Sequence, residues 1–266
     1  MSESIDIPTR SDSPSSDISG SPPALNAATL ALLDQFLSNK AEEEQRFQQL
    51  MADQEARQIA GLQSDDDDAT SNEKPMMSVD EYRAAFGEDW QLSQFWYSTS
   101  FANRFADLID QLEPSPEASI GFICAPTAFV AVHHLHPRSK TRLLEVDQRF
   151  AVLAPRQYIP YDLNEPDNFP AELKGYFDLV IVDPPFLNEV TNEKVCQTLR
   201  QVLKPTAKLI LLTSTSVIDV IEKLYKAPPL GPMKQTALTV EHGQLANDFA
   251  CWGSWEGAES FGAQYE

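Results

Sequence analysis

The chain has 266 residues, 42% of them hydrophobic, and a net charge of -20. That size supports one substantial core with additional segments. Residues 1–75 carry 15 acids and 5 bases and residues 76–266 carry 25 and 15, so each portion holds -10 and neither offers the basic face of a duplex nucleic-acid binder. An acidic surface suits a basic protein or a small cationic group instead. The three cysteines, Cys124, Cys196 and Cys251, are widely spaced among apolar residues. They are expected to be buried, reduced thiols of an intracellular protein. The opening residues lack the apolar stretch of a signal peptide, and no run approaches the roughly 18 apolar residues of a membrane span. A cytoplasmic location is the expectation.

Residues 1–24 are rich in Ser, Pro and Asp and predict a disordered tail. Leu30, Leu33 and Leu37, then Phe47, Leu50 and Met51, set a helical spacing over residues 25–60, interrupted by "AEEEQR" at 41–46. This predicts one long helix with two apolar patches, or two helices, serving a substrate or self-contact role outside the catalytic core. An acidic linker, 61–77, follows, containing "SDDDDATSNEKP". The folded body is expected over 78–260, opening on a helix with Ser78 as N-cap and Glu81 as capping-box partner.

The body then alternates. A helix is predicted near Ser100–Leu112, a strand at 119–125, a helix over "AFVAVHHL", and strands at 141–147, 156–162 and 177–183. A helix at 192–204, a fifth strand at 207–214 and a helix over "SVIDVIEKLY" follow. "TALTVEH" and "FACWGSW" read as a closing antiparallel pair. Alternation at this spacing, with continuous apolar runs, predicts an α/β fold: a mostly parallel sheet, helices on both faces, and one strand turned antiparallel at the edge. The histidines of "HHLHP", His133, His134 and His136, lack the companions of a metal site and are read as surface or packing residues. Trp252 and Trp255 are read as sheet packing.

In such sheets ligands bind beyond the carboxyl ends of the strands. The residues there are Ala125-Pro126-Thr127, Glu145 with Asp147, Asp162 with Asn164, and Asp183-Pro184-Pro185-Phe186. Three of the four tips carry carboxylates, which suits a ligand with hydroxyls and positive charge. Proline fixes its own φ and holds the preceding residue extended. The double proline therefore makes a stiff arm with a charged acceptor, Asp183, at one end and an aromatic wall, Phe186, at the other. Such an arm can grip an amine.

Asp-Pro-Pro-Phe after the fourth strand resembles the [Asn/Asp]-Pro-Pro-[Tyr/Phe] motif of class I S-adenosylmethionine-dependent amino-methyltransferases. "DWQLSQFWYS" (89–98), "LLEVDQRFAV" (143–152), "YDLNEP" (161–166) and "QLANDFACW" (244–252) resemble one branch. That branch comprises the eukaryotic protein-lysine methyltransferases acting on translation elongation factor 1-alpha, formerly taken for N6-adenine DNA methyltransferases. The resemblance implies a Rossmann-like, seven-stranded class I fold with S-adenosylmethionine as cofactor and elongation factor 1-alpha as protein partner. It implies that Glu145 holds the ribose hydroxyls, that Asp162 and Asn164 lie near the adenine, and that Gln94, Phe95, Trp96 and Tyr97 fold over the cofactor. Asp183, Pro184, Pro185 and Phe186 would hold the target amine, with Asp183 also bordering the cofactor. The usual glycine-rich loop after the first strand is replaced by "CAPTAF", so Ala125, Pro126 and Thr127 would meet the cofactor instead.

The implied reaction is attack of a lysine Nε on the sulfonium methyl group. Two rival functions are an N6-adenine methyltransferase for DNA or RNA, which the acidity argues against, and a binding-only protein, which the intact motif argues against.

Overall fold

The structure is a computed structural model that describes residues 26–61, 77–88, 93–243 and 248–263. The tail expected over 1–24 lies outside the described residues, as does the linker between 62 and 76. The chain forms two compact units, 1–40 and 41–266.

Helix α1 (Ala27–Gly61) is a single helix. The Oδ1 of Asn26 caps its start, accepting from Thr29 N at 2.8 Å. Residues 41–46 do not break it, because Ala, Glu, Gln and Arg all favour the helical backbone. In the first unit the side chains of Leu30, Leu33, Phe36 and Leu37 are exposed. In the second unit Phe47 packs against the core, its ring 6.0 Å from that of Phe86, and the Arg46 guanidinium donates to the Ala84 carbonyl.

The body opens with α2 (Val79–Ala85), whose expected capping box is present: Glu81 N donates to Ser78 Oγ at 3.3 Å and Ser78 N to Glu81 Oε2 at 2.7 Å. Next come α3 (Thr99–Leu112), β1 (Ile120–Ile123), α4 (Pro126–Leu135), β2 (Thr141–Glu145), α5 (Phe150–Leu153), β3 (Tyr158–Pro160) and β4 (Phe177–Val182). The chain continues through α6 (Glu189–Val202), β5 (Leu203–Ser214), α7 (Ile218–Leu224), β6 (Lys234–Thr239) and β7 (Phe249–Gly253). Among the described residues no helix is long and apolar enough to cross a membrane.

The seven strands form one sheet in the order β3-β2-β1-β4-β5-β7-β6. All neighbours pair in parallel except those of β7, which runs antiparallel to both β5 and β6. This corrects the expectation of an antiparallel strand at the edge. Through α7 the chain crosses past the vacant position to lay down β6 at the rim, and β7 returns to fill the gap. Alternate strand residues serve opposite faces. Leu179 and Ile181 pack with α3 and α4, whereas Val180 and Val182 pack with α6 and α7. Both faces are buried, so the strands read as unbroken apolar runs. Trp252 is buried in the second of these clusters, as expected.

The register aligns the strand ends. Ile123 pairs with Leu144 on one side and Val182 on the other, so Cys124, Glu145 and Asp183 emerge together.

Candidate active site

A cleft of about 390 Å³ opens at those strand ends, within the usual range of ligand sites. It is lined by the residues singled out from the sequence: Gln94, Phe95, Trp96, Tyr97, Ala125, Pro126, Thr127, Glu145, Asp162, Asn164, Asp183, Pro184, Pro185 and Phe186. Parallel pairing brings the four tips to one edge, and the segment before α3 crosses above them.

The first tip solves the glycine problem unexpectedly. Cys124 takes φ 53°, the left-handed region usually left to glycine, and turns the backbone directly into α4. Pro126 begins that helix, where its missing N–H has no cost.

Glu145 ends β2 and is 4% exposed. Its Oε1 accepts from Val146 N at 3.0 Å, Asp147 N at 3.3 Å and Gln94 Nε2 at 3.4 Å. Arg149, which could have neutralised it, is committed to Asp147 through Nε at 2.9 Å and Nη2 at 2.7 Å. Burial therefore pushes the Glu145 carboxyl up to about 7, against the pull of its N–H donors.

Asp183 follows β4, with its N–H bonded to the Ile123 carbonyl at 3.2 Å. The side chain is half-buried, and Tyr97 Oη donates to its Oδ2. Burial pushes it up to about 7; the Tyr97 bond opposes the rise and the Glu145 charge adds to it. Pro184 is buried, whereas Phe186 is 49% exposed at the mouth. Asp162 and Asn164 sit exposed at the rim. Asp162 Oδ1 accepts from Asn164 N, and Asn164 Oδ1 accepts from Lys194 Nζ, both at 2.7 Å.

Other lining residues were not foreseen. His242 and Phe249 form part of the wall, their ring centroids 4.4 Å apart. Burial pushes the His242 imidazole down to about 4, so it is neutral at physiological pH. Cys124, Tyr161 and Lys194 also line the cleft. The only sequence signal for Cys124 was its place before "APT". His242 had no sequence signal, and Phe249 only its place within "QLANDFACW".

A family model described as "Probable N6-adenine methyltransferase" matches residues 88–257. The chain belongs to this methyltransferase family. Similar relatives include protein-lysine N-methyltransferase EFM5 of Saccharomyces cerevisiae, 32% identical over 250 residues, covering 87% of this chain and 92% of that protein. EEF1A lysine methyltransferase 1 of Gallus gallus is 33% identical and covers 62% of this chain and 74% of its own length. The Homo sapiens protein of the same name is 30% identical, covering 64% and 76%.

The methyltransferase cofactor is S-adenosylmethionine, and the cleft fits it. A buried carboxylate with no cationic partner among the described residues, Glu145, can accept from hydroxyls. The tight turn at Cys124 lets backbone approach closely. Among the described residues no group of three or more His, Cys, Asp or Glu is placed to hold a metal.

Proposed function

We propose that this methyltransferase acts in the cytoplasm as a protein-lysine N-methyltransferase whose substrate is translation elongation factor 1-alpha. The observation that carries the reading is the Asp183 carboxylate, fixed by Tyr97 at the tip of β4 with Pro184 behind it and Phe186 open to solvent. The relatives that match most of this chain are named for lysine methylation, which supports the same acceptor.

S-adenosylmethionine supplies the methyl group on a sulfonium and departs as S-adenosylhomocysteine. In this reading Glu145 accepts from the ribose hydroxyls, Ala125, Pro126 and Thr127 line the backbone side, and Asp162 and Asn164 border the base. Asp183 accepts an N–H of the lysine and aligns the nitrogen lone pair, a placement from which much of a barrier reduction can come. Free lysine titrates near ~10.4 and must enter as, or become, the neutral amine. Desolvation of the lysine as it enters the cleft, with the sulfonium charge nearby, favours that form. A carboxyl raised to about 7 is also a better proton acceptor than an ordinary aspartate, so in this reading Asp183 receives the proton that the amine loses.

A second reading, an N6-adenine methyltransferase, draws on the family description and on the exposed Phe186 ring, which could stack on a base. The net charge of -20 disfavours a polyanionic substrate. Incubation with tritiated S-adenosylmethionine separates the two. Label should enter purified elongation factor 1-alpha at a lysine and not DNA or RNA oligonucleotides; the opposite pattern would overturn the proposal.

A further inference from the structure

One short segment addresses both carboxylates deep in the cleft. Gln94 Nε2 lies 3.4 Å from Glu145 Oε1, and three residues later Tyr97 Oη donates to Asp183 Oδ2. Tyr97 is 1% exposed and cannot swing. Its ring lies 5.1 Å from Phe101 and 4.9 Å from His242, which rests in turn on Phe249. The backbone is held as well. Tyr97 and His242 form an antiparallel bridge, Ser98 N donates to the Glu241 carbonyl at 2.9 Å, and Gly243 N donates to the Trp96 carbonyl at 3.1 Å. Arg104 fixes the Glu241 carboxylate at 2.9 Å. Among the described residues Asp183 Oδ1 has no hydrogen-bond partner.

We propose that Tyr97 is a positioning residue for methyl transfer: it clamps one oxygen of Asp183 so that the other is presented to the acceptor amine, and His242 buttresses the clamp. This rests on the reading of Asp183 as the amine-holding group. An aspartate at the end of a strand can rotate about its side-chain torsions. Fixing Oδ2 sets the carboxylate plane, and with it the direction along which Oδ1 accepts. The buttress is suited to the task because it is uncharged: a cationic imidazole beside Tyr97 would compete with the ammonium for Asp183. The sequence resemblance placed Tyr97 over the cofactor; the hydrogen bond assigns it to the acceptor side.

The groups facing Asp183 are Glu145 from β2, Cys124 from the β1 tip and Tyr97, with His242, Asp162 after β3 and, from α6, Lys194 lining the same cleft. Neutral His242 and Cys124, whose thiol burial pushes well up, do not titrate near pH 7. Glu145 does, so kcat is read at saturating cofactor.

The test is Tyr97→Phe in the full chain, with purified elongation factor 1-alpha as acceptor. Losing an alignment contact predicts a kcat about 10- to 100-fold lower. The Kd for S-adenosylhomocysteine, by calorimetry, should stay within about twofold, since the contact is not to cofactor. The acid limb of the kcat profile should move to higher pH, because the charged carboxylate loses a donor. Superimposable profiles, or loss of S-adenosylhomocysteine binding in step with kcat, would overturn the proposal. A readout that needs no acceptor separates this from the functional reading. Carbon-13 NMR of the side-chain carboxyls, with Asp183→Asn to assign the signal, should show Asp183 titrating at higher pH in Tyr97→Phe. An unmoved titration sinks the clamp; a wild-type enzyme inactive on elongation factor 1-alpha sinks only the substrate.

Discussion

Glu145→Gln should stabilise the ligand-free protein while weakening its hold on cofactor. The wild-type carboxyl titrates at about 7 in the fold, against an ordinary 4.5, because it is buried with its neighbouring cation engaged elsewhere. As pH rises from 4.5, the unfolded chain releases this proton first while the native form still holds it. Native stability therefore declines through the window from 4.5 to about 7, and the full penalty is present above it. At about 1.4 kcal/mol per pH unit the penalty is roughly 3 kcal/mol. Glutamine keeps an oxygen for Val146 N, Asp147 N and Gln94 Nε2 and carries no charge, so it is free of that penalty.

Thermal melts of wild type and variant at pH 4.5, 6 and 8 read the effect directly. At pH 4.5 the two should coincide; by pH 8 the variant should melt about 5–10 °C higher, as expected for a domain of this size. S-adenosylhomocysteine should bind the variant about 10- to 100-fold more weakly, because hydrogen bonds to a carboxylate are stronger than those to an amide. A melting difference independent of pH would show that Glu145 is not held near neutrality. A variant less stable at pH 8 would refute the reasoning altogether.

Asp183→Ala should abolish methyl transfer with S-adenosylhomocysteine binding largely kept, and full wild-type turnover would contradict an acceptor role. Asp183→Asn separates shape from charge: rates near wild type mean that geometry dominates, and rates matching alanine mean that the charge is required. Phe186→Tyr should be tolerated in steady-state assays, whereas Phe186→Ala should slow transfer by removing the exposed ring at the mouth. Phe47→Ala should lower denaturant stability by about 1 kcal/mol, the value of half a buried phenylalanine, and a chain beginning at Met76 should stay folded with a similar loss; an unaltered midpoint would mean that the Phe47–Phe86 contact contributes nothing.

The strand tips were legible in the sequence because they depend on local order. A parallel sheet places each residue that follows a strand at one edge, so locating the strands located Ala125, Glu145, Asp162 and Asp183 at the same time. The double proline marked the fourth tip further, since its stiffness has little use in an ordinary connection. The position of β7 was not legible. Nothing in "FACWG" distinguishes an edge from a penultimate strand, because that choice is made by the length and path of the β5–β6 crossover. The left-handed Cys124 was equally hidden, since the sequence shows that glycine is missing but not that a cysteine will adopt its conformation.

The electrostatic state of the cleft depends on contacts between distant residues. From the sequence, three acidic tips suit a ligand with hydroxyls and positive charge but do not show how those acids titrate. In the fold Arg149 is drawn to Asp147, and burial raises the Glu145 and Asp183 carboxyls to about 7, with the Tyr97 bond restraining the rise at Asp183. The polar partners that modulate these carboxyls lie 2 residues away in one case and 86 in the other. Only the first pairing is within reach of pattern reading, and even there no spacing rule says that Arg149 will choose Asp147 over Glu145. A cleft meant for a cationic donor and a cationic acceptor gains from this arrangement. Its carboxyls can rest protonated when the site is empty, limiting their mutual repulsion, and ionise when positive ligands arrive.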